Sequence, residues 1–222
     1  MRKLVCAMLL ALSPFASAHD PYSSPLYLKF SFGSVDPDIQ ELDGYNTDQP
    51  SGYGITFGYQ SSPFLALESS YIHLGELSKS YDYSSNYGEQ GWDDYLVERA
   101  ASVDLNRSWS TQAIGAVLTT NVYQGFSAGL RFGYHKWEEE TDISESGTYT
   151  QYEMSSSSGS YEVYISEDYT SEYSYRTEGN DPYYGVTLGF GASNWVFSAD
   201  YTVYRMEDTS PALGSLSVGL RF

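Results

Sequence analysis

The chain has 222 residues, 29 Asp and Glu against 11 Lys and Arg, and a formal net charge of −18. So acidic a balance excludes nucleic acid as a partner, because phosphate contacts need Lys and Arg. It also excludes docking on anionic headgroups through a basic patch. Aromatic residues make up 17% of the sequence, too many for a disordered acidic chain.

The chain opens on Met1-Arg2-Lys3, followed by an uncharged apolar run from Leu4 to Leu12 and then Ala16-Ser17-Ala18. A basic start, a short apolar stretch and a small-x-small site predict a signal peptide over residues 1–18. Residues 19–222 then form one domain. The run is too short to cross a bilayer as a helix. Cys6 lies inside it, too early to be a lipidated cysteine, so the mature chain has no cysteine. Disulfides, cysteine nucleophiles and cysteine–zinc sites are therefore not expected.

The first strand reads Leu26 to Gly33, with Leu26, Leu28, Phe30 and Phe32 opposite Tyr27, Lys29, Ser31 and Gly33. Ser34 to Pro50 is acidic, holds Pro, Asp, Asn and Gly, and reads as a loop. The second strand, Gly52 to Gln60, sets Tyr53, Ile55, Phe57 and Tyr59 against Gly52, Gly54, Thr56 and Gly58. One face made of glycine and threonine describes a tightly filled interior. The third strand runs from Phe64 to about Leu74, with Leu65, Leu67 and Tyr71 opposite Ala66, Glu68 and Ser70. Its upper end is ambiguous, because Ile72 falls on the polar face and His73 on the apolar one.

Gly75 to Tyr95 reads as a long acidic loop, although Val97 to Asn106 has enough strand character to extend the sheet. The fourth strand is placed at Thr111 to Val122 and the fifth at Phe126 to Trp137, with Arg131 and His135 on its small face. Glu138 to Asp181 reads as the longest loop, with twelve acidic residues. A hairpin between Thr148–Met154 and Tyr161–Ser166 is possible inside it. The sixth strand is Tyr183 to Ala192, the seventh Trp195 to Arg205, and the eighth Gly214 to Phe222.

Eight strands joined by alternately long and short connections, each with one bulky apolar face and one small face, predict an all-β fold. Specifically, they predict an eight-stranded antiparallel up-and-down transmembrane β-barrel with long extracellular loops. Each strand supplies about the 9–11 residues that a tilted membrane crossing needs. Tyr, Trp and Phe gather at strand ends, where amphipathic rings favour the lipid–water interface. A soluble barrel would turn its Leu and Phe inward instead.

By alternation Lys29, Glu68, Arg131, Asp200 and Arg221 point into the lumen. Buried charges must be paired, so an ion-pair network is expected there, linking Glu68 and Asp200 with Lys29 and Arg131. It reads as a structural plug, with a gated ion path as the alternative. His19, His73 and His135 lie in no motif of a barrel lipid deacylase, and no catalytic residue is assigned. The acidic loops show no calcium-loop spacing, so no metal or cofactor is expected. Tyr- and Ser-rich loops do suit adaptable recognition of an extracellular ligand.

Leu67-Glu68-Ser69-Ser70-Tyr71, Gly129 to Trp137, Ser198-Ala199-Asp200-Tyr201 and Val218-Gly219-Leu220-Arg221-Phe222 resemble the OmpA-like transmembrane barrel family. The resemblance implies residence in the outer membrane of a Gram-negative envelope, among lipid and lipopolysaccharide, with periplasmic termini. It also implies insertion by the barrel-assembly machinery, with Val218, Leu220 and Phe222 as the assembly signal. The chain ends at Phe222, so the peptidoglycan-binding domain of longer family members cannot be carried over. The expected role is therefore structural or surface-interacting. A small-solute or ion channel is the alternative, and a lipid-modifying enzyme comes third.

Overall fold

In the computed structural model, residues 25–38, 50–89, 95–123, 125–154, 160–192, 194–207 and 209–222 are described. The predicted signal peptide lies outside them. Eight antiparallel strands follow one another around a closed ring: β1 Leu26–Asp36, β2 Ser51–Ser62, β3 Leu65–Glu89, β4 Tyr95–Tyr123, β5 Phe126–Met154, β6 Tyr161–Ala192, β7 Trp195–Tyr204 and β8 Ala212–Arg221. β8 pairs with β1, Val218 opposite Phe30, so the ring leaves no free edge at this level. One end of the ring has tight connections between β2 and β3, β4 and β5, and β6 and β7.

The alternation read from the sequence sorts residues between outside and inside. Phe32, Leu188 and Leu216 stand 64, 64 and 72% exposed on the outer wall, while Glu68, Arg131 and Asp200 are buried within. Water does not tolerate such a belt of bare Leu, Phe and Val, whereas hydrocarbon does. Glycines on the inner face make room for rings that cross the lumen. A Cβ at Gly58 would lie 2.0 Å from Cζ of Tyr27, whose ring occupies the space that a side chain there would need.

The strands are unequal, and this corrects the sequence reading. β3 to β6 have 25, 29, 29 and 32 residues, against 10 to 12 in the other four. Gly75–Tyr95 and Glu138–Asp181, read as loops, are mostly strand. They build a four-stranded sheet that stands on the ring and rises about 45 Å beyond it, at ~3.3 Å per residue. Acid-rich segments of Ser, Thr and Tyr lack the hydropathy contrast that betrays a strand. Cross-strand pairing in the folded chain holds them extended nonetheless.

The passage from ring to sheet on β3 is a bulge. Leu74 and Gly75 together stand opposite the single Trp109, between the pairs His73–Ser110 and Glu76–Ser108. Gly75 has φ +87°, a left-handed conformation that residues with a Cβ adopt at a cost.

Candidate functional site

The lumen is filled in two layers. In the lower one, Glu68 from β3 is 1% exposed and is approached from three sides. The Tyr27 hydroxyl donates to its Oε1 at 2.7 Å, Lys29 Nζ lies 2.8 Å from the same oxygen, and an Arg131 NH2 group donates to Oε2 at 2.7 Å. Arg131 also reaches Asp200 Oδ1 at 3.3 Å. Ser198 and Ser217 donate to the other oxygen of Asp200 at 2.8 and 3.1 Å. Four of the five lumen residues singled out from the sequence thus meet in one cluster. The fifth, Arg221, lines the same lumen, but its Nε is buried without a hydrogen-bond partner and it joins no ion pair among the described residues.

The upper layer was missed by sequence reasoning. Ile72, Leu74, Trp109, Trp137, Tyr183, Tyr204, Met206 and Leu213 form a buried apolar cluster across the mouth. Each indole sends its polar end to a carboxylate at the rim: Trp109 to Glu139 at 2.9 Å and Trp137 to Asp181 at 2.8 Å. His135 sits edge-on to Tyr183 and Tyr204. Its Nδ1 lies 2.7 Å from the Thr111 hydroxyl and its Nε2 2.8 Å from the Arg205 carbonyl, so both ring nitrogens tie down neighbouring segments. The signal in the sequence was Ile72 itself. Its apparent misplacement on the polar face marks the height at which the lumen turns from charged to apolar. His73, by contrast, faces outward and packs at a tilt against Tyr53, ring centres 5.0 Å apart.

Above the mouth, the protruding sheet has two chemically opposite faces. One continues the lumen-facing series. Its cross-strand rows read Leu77–Arg107–Thr141–Tyr175, Lys79–Leu105–Ile143–Tyr173, Tyr81–Val103–Glu145–Ser171 and Tyr83–Ala101–Gly147–Tyr169. The other face reads Ser78–Asn106–Asp142–Ser174, Ser80–Asp104–Ser144–Glu172, Asp82–Ser102–Ser146–Thr170 and Ser84–Ala100–Thr148–Asp168. The second face is hydroxyl and carboxylate, suited to water. The first is aromatic and aliphatic with a few cations.

At its centre, the Arg99 guanidinium lies 4.8 Å from the Tyr169 ring centre and 5.8 Å from that of Tyr83. Arg99 also donates to Glu145 Oε1 at 2.5 Å, the oxygen that Tyr169 and Tyr83 approach with their hydroxyls at 2.5 and 2.7 Å. Val97, Ala101 and Val103 are buried on this face. A second such unit lies lower down. Arg107 makes a bidentate pair with Glu139 at 2.6 and 2.8 Å and rests 5.2 Å from the Trp109 ring.

The hydrogen bonds from Tyr169 and Tyr83, with Arg99 beside them, hold the Glu145 carboxyl below its ordinary 4.5. The bond to Glu145, with partial loss of solvent, pushes the Tyr83 hydroxyl above its ordinary 10.0. A depressed carboxylate contributes stability above its unfolded value and loses that contribution as pH falls through the folded one. A raised phenol contributes below its unfolded value and loses that contribution as pH rises through the folded one. Carbon NMR of the side-chain carboxyls is expected to show Glu145 titrating below 4.5, and replacing Tyr169 with Phe to move it upward. A Glu145 that titrates with the exposed carboxylates would refute the cluster.

A family model described as an outer membrane protein beta-barrel domain matches residues 4–222. No curated protein sequence matches the chain. Among solved structures, Ail of Yersinia pestis in complex with the heparin analogue sucrose octasulfate is similar at 16% identity and a TM-score of 0.44, over 90% of this chain and 97% of that one. Neisserial surface protein A is similar at 10% identity and a TM-score of 0.38, over 90 and 98%. The N-terminal β-barrel domain of Pseudomonas aeruginosa OprF is similar at 14% identity and a TM-score of 0.37, over 90 and 98%.

Proposed function

The chain belongs to the outer-membrane β-barrel family, and from that premise we propose that it is a non-enzymatic surface-interaction protein whose working part is the protruding sheet. The observation that carries this reading is the contrast between the two ends of β3 to β6. Inside the ring their side chains fill the lumen with an ion-pair layer and an apolar layer. Beyond it they continue as a two-faced sheet that the ring does not need for closure.

The lumen cluster of Lys29, Glu68, Arg131 and Asp200, with Arg221 beside it, is read as a structural plug. The barrel is anchored among outer-membrane lipid and lipopolysaccharide by its bare apolar belt. Residues 1–18 serve as an export signal. The ring ends of β1 and β8 face the periplasm together with the tight turns, which puts the sheet outside the cell. Val218, Leu220 and Phe222, all outward-facing on the closing strand or just after it, are offered to the barrel-assembly machinery.

The channel reading is tested in planar bilayers. The purified chain is expected to give no stable unitary currents. Steady conductance abolished by altering Arg131 or Glu68 would make the lumen a pore and overturn the plug. The lipid-enzyme reading is tested by mass analysis of lipid A from cells with and without the protein, which is expected to be unchanged.

A further inference from the structure

We propose that the mouth-side face of the protruding sheet is a docking surface for an arginine-bearing, extended cationic peptide segment arriving from outside the cell. The inference rests on the reading of the sheet as the interaction element and adds the chemistry of the partner. An antiparallel sheet commonly buries one face and hydrates the other. Here the hydrated face is plain, but its aromatic counterpart is covered only in part: Leu77, Val97, Ala101 and Val103 are buried on it, whereas rings on its two outer strands are bare. Tyr81, Tyr173 and Tyr175 stand 46, 55 and 58% exposed on it.

The occupant is cationic on two grounds. The first is the field. The described residues of 76–109 and 137–181, which hold the sheet, contain seventeen Asp and Glu against four Lys and Arg, many of the acids on the hydrated face one sheet thickness away. A field of one sign draws in ligands of the other and repels polyanions. The second ground is the chemistry that the face displays on its own side chains. Its three basic residues among those described each lie over a ring: Lys79 on Tyr81 at 5.9 Å, Arg99 between Tyr83 and Tyr169, and Arg107 on Trp109. Both arginines are also held by a carboxylate. Tyr173 and Tyr175, two residues apart on β6, present the same rings but hold no cation among the described residues. Guanidinium prefers such a surface to ammonium, because it is planar and less strongly hydrated.

A second copy is a poorer occupant. The face continues the lumen-facing series and so overlies the mouth of its own ring. Another barrel in the same membrane meets the outer belt first. A neutral glycan could stack on tyrosine, but would gain nothing from the charge.

The test uses the full folded chain in zwitterionic dodecylphosphocholine micelles and fluorescent nona-arginine, nona-lysine and an uncharged oligosaccharide. Nona-arginine is expected to bind more tightly than nona-lysine, weakening as salt is raised, and the oligosaccharide not to bind. Y173A/Y175A is expected to lower the nona-arginine affinity about tenfold, as two lost ring contacts imply. Y173F/Y175F, which keeps the rings, is expected to bind as the unaltered chain does. S78A/S174A, on the opposite face, is expected to leave binding unchanged. Heat-modified gel migration checks that each variant is folded.

Equal affinity of Y173A/Y175A and the unaltered chain would overturn the proposal. So would equal affinity for the two cations, or preference for the oligosaccharide. If cells displaying the barrel capture an acidic or neutral partner through this sheet, only the cationic inference falls. If they capture none of any charge, the surface-interaction reading falls with it.

Discussion

Replacing Glu68 with alanine is expected to destabilise the folded barrel by about 3–5 kcal/mol, the usual cost of removing one partner from a buried ion pair. Glu68 is the hub of the lower lumen. Tyr27, Lys29 and Arg131 all converge on its two oxygens. Its loss leaves an ammonium and most of a guanidinium facing each other in a closed lumen. Arg131 keeps only its longer contact with Asp200. Asp200→Asn is expected to cost less, because Arg131 retains Glu68. Urea unfolding in micelles, followed by tryptophan fluorescence, measures both. Equal effects of the two substitutions would show that the cluster does not centre on Glu68. Removing Lys29 as well, in Lys29→Met/Glu68→Ala, should recover part of the loss, since one unpaired charge goes with it.

Trp109→Ala is expected to cost about 3–5 kcal/mol for a different reason, the cavity left by a large core side chain. Trp109 is 1% exposed, sits against the bulge at Leu74 and Gly75, and joins the apolar cluster that closes the mouth. Its indole also donates to Glu139, which would keep only Arg107. Trp195 offers the control. It is an indole of equal size, 49% exposed on the outer wall, where detergent or lipid fills the space of a truncated side chain. Trp195→Ala should therefore be far milder under the same denaturant. Comparable losses at the two positions would mean that the mouth cluster is not a packed core.

The ring was readable from the sequence because lipid reverses the usual sorting of side chains so completely. Phe30, Leu28 and Leu26 alternate with Ser31, Lys29 and Tyr27, and no soluble strand needs that contrast. The same alternation placed Lys29, Glu68, Arg131 and Asp200 on inward positions, so their meeting in space needed only the closure of the ring. It could not distinguish Arg221, which is inward by the same count yet joins no ion pair among the described residues. The mouth plug was hidden because its members come from different strands, and Met206 from a connection. The sheet was hidden because Tyr, Ser and Thr alternate without a step in hydropathy, and their acidic neighbours resemble a loop. Its strands are specified by pairing partners tens of residues away, which a local pattern does not record.

The bulge at Leu74 and Gly75 is, in effect, a phase switch. Below it the even-numbered residues of β3 look inward, as Glu68, Ser70 and Ile72 do; above it the odd-numbered Leu77, Lys79, Tyr81 and Tyr83 take that side. Were the strand to run through this point as a regular ladder with every residue kept, Ser80 and Asp82 would look over the mouth and the tyrosines would look away. The chemical character of the sheet's first strand is therefore chosen by whether one residue is set out of the ladder here, leaving the ring beneath it untouched. A lineage could exchange a sticky face for a wetted one by replacing Gly75 with a residue that resists its left-handed backbone, and restore it by returning the glycine.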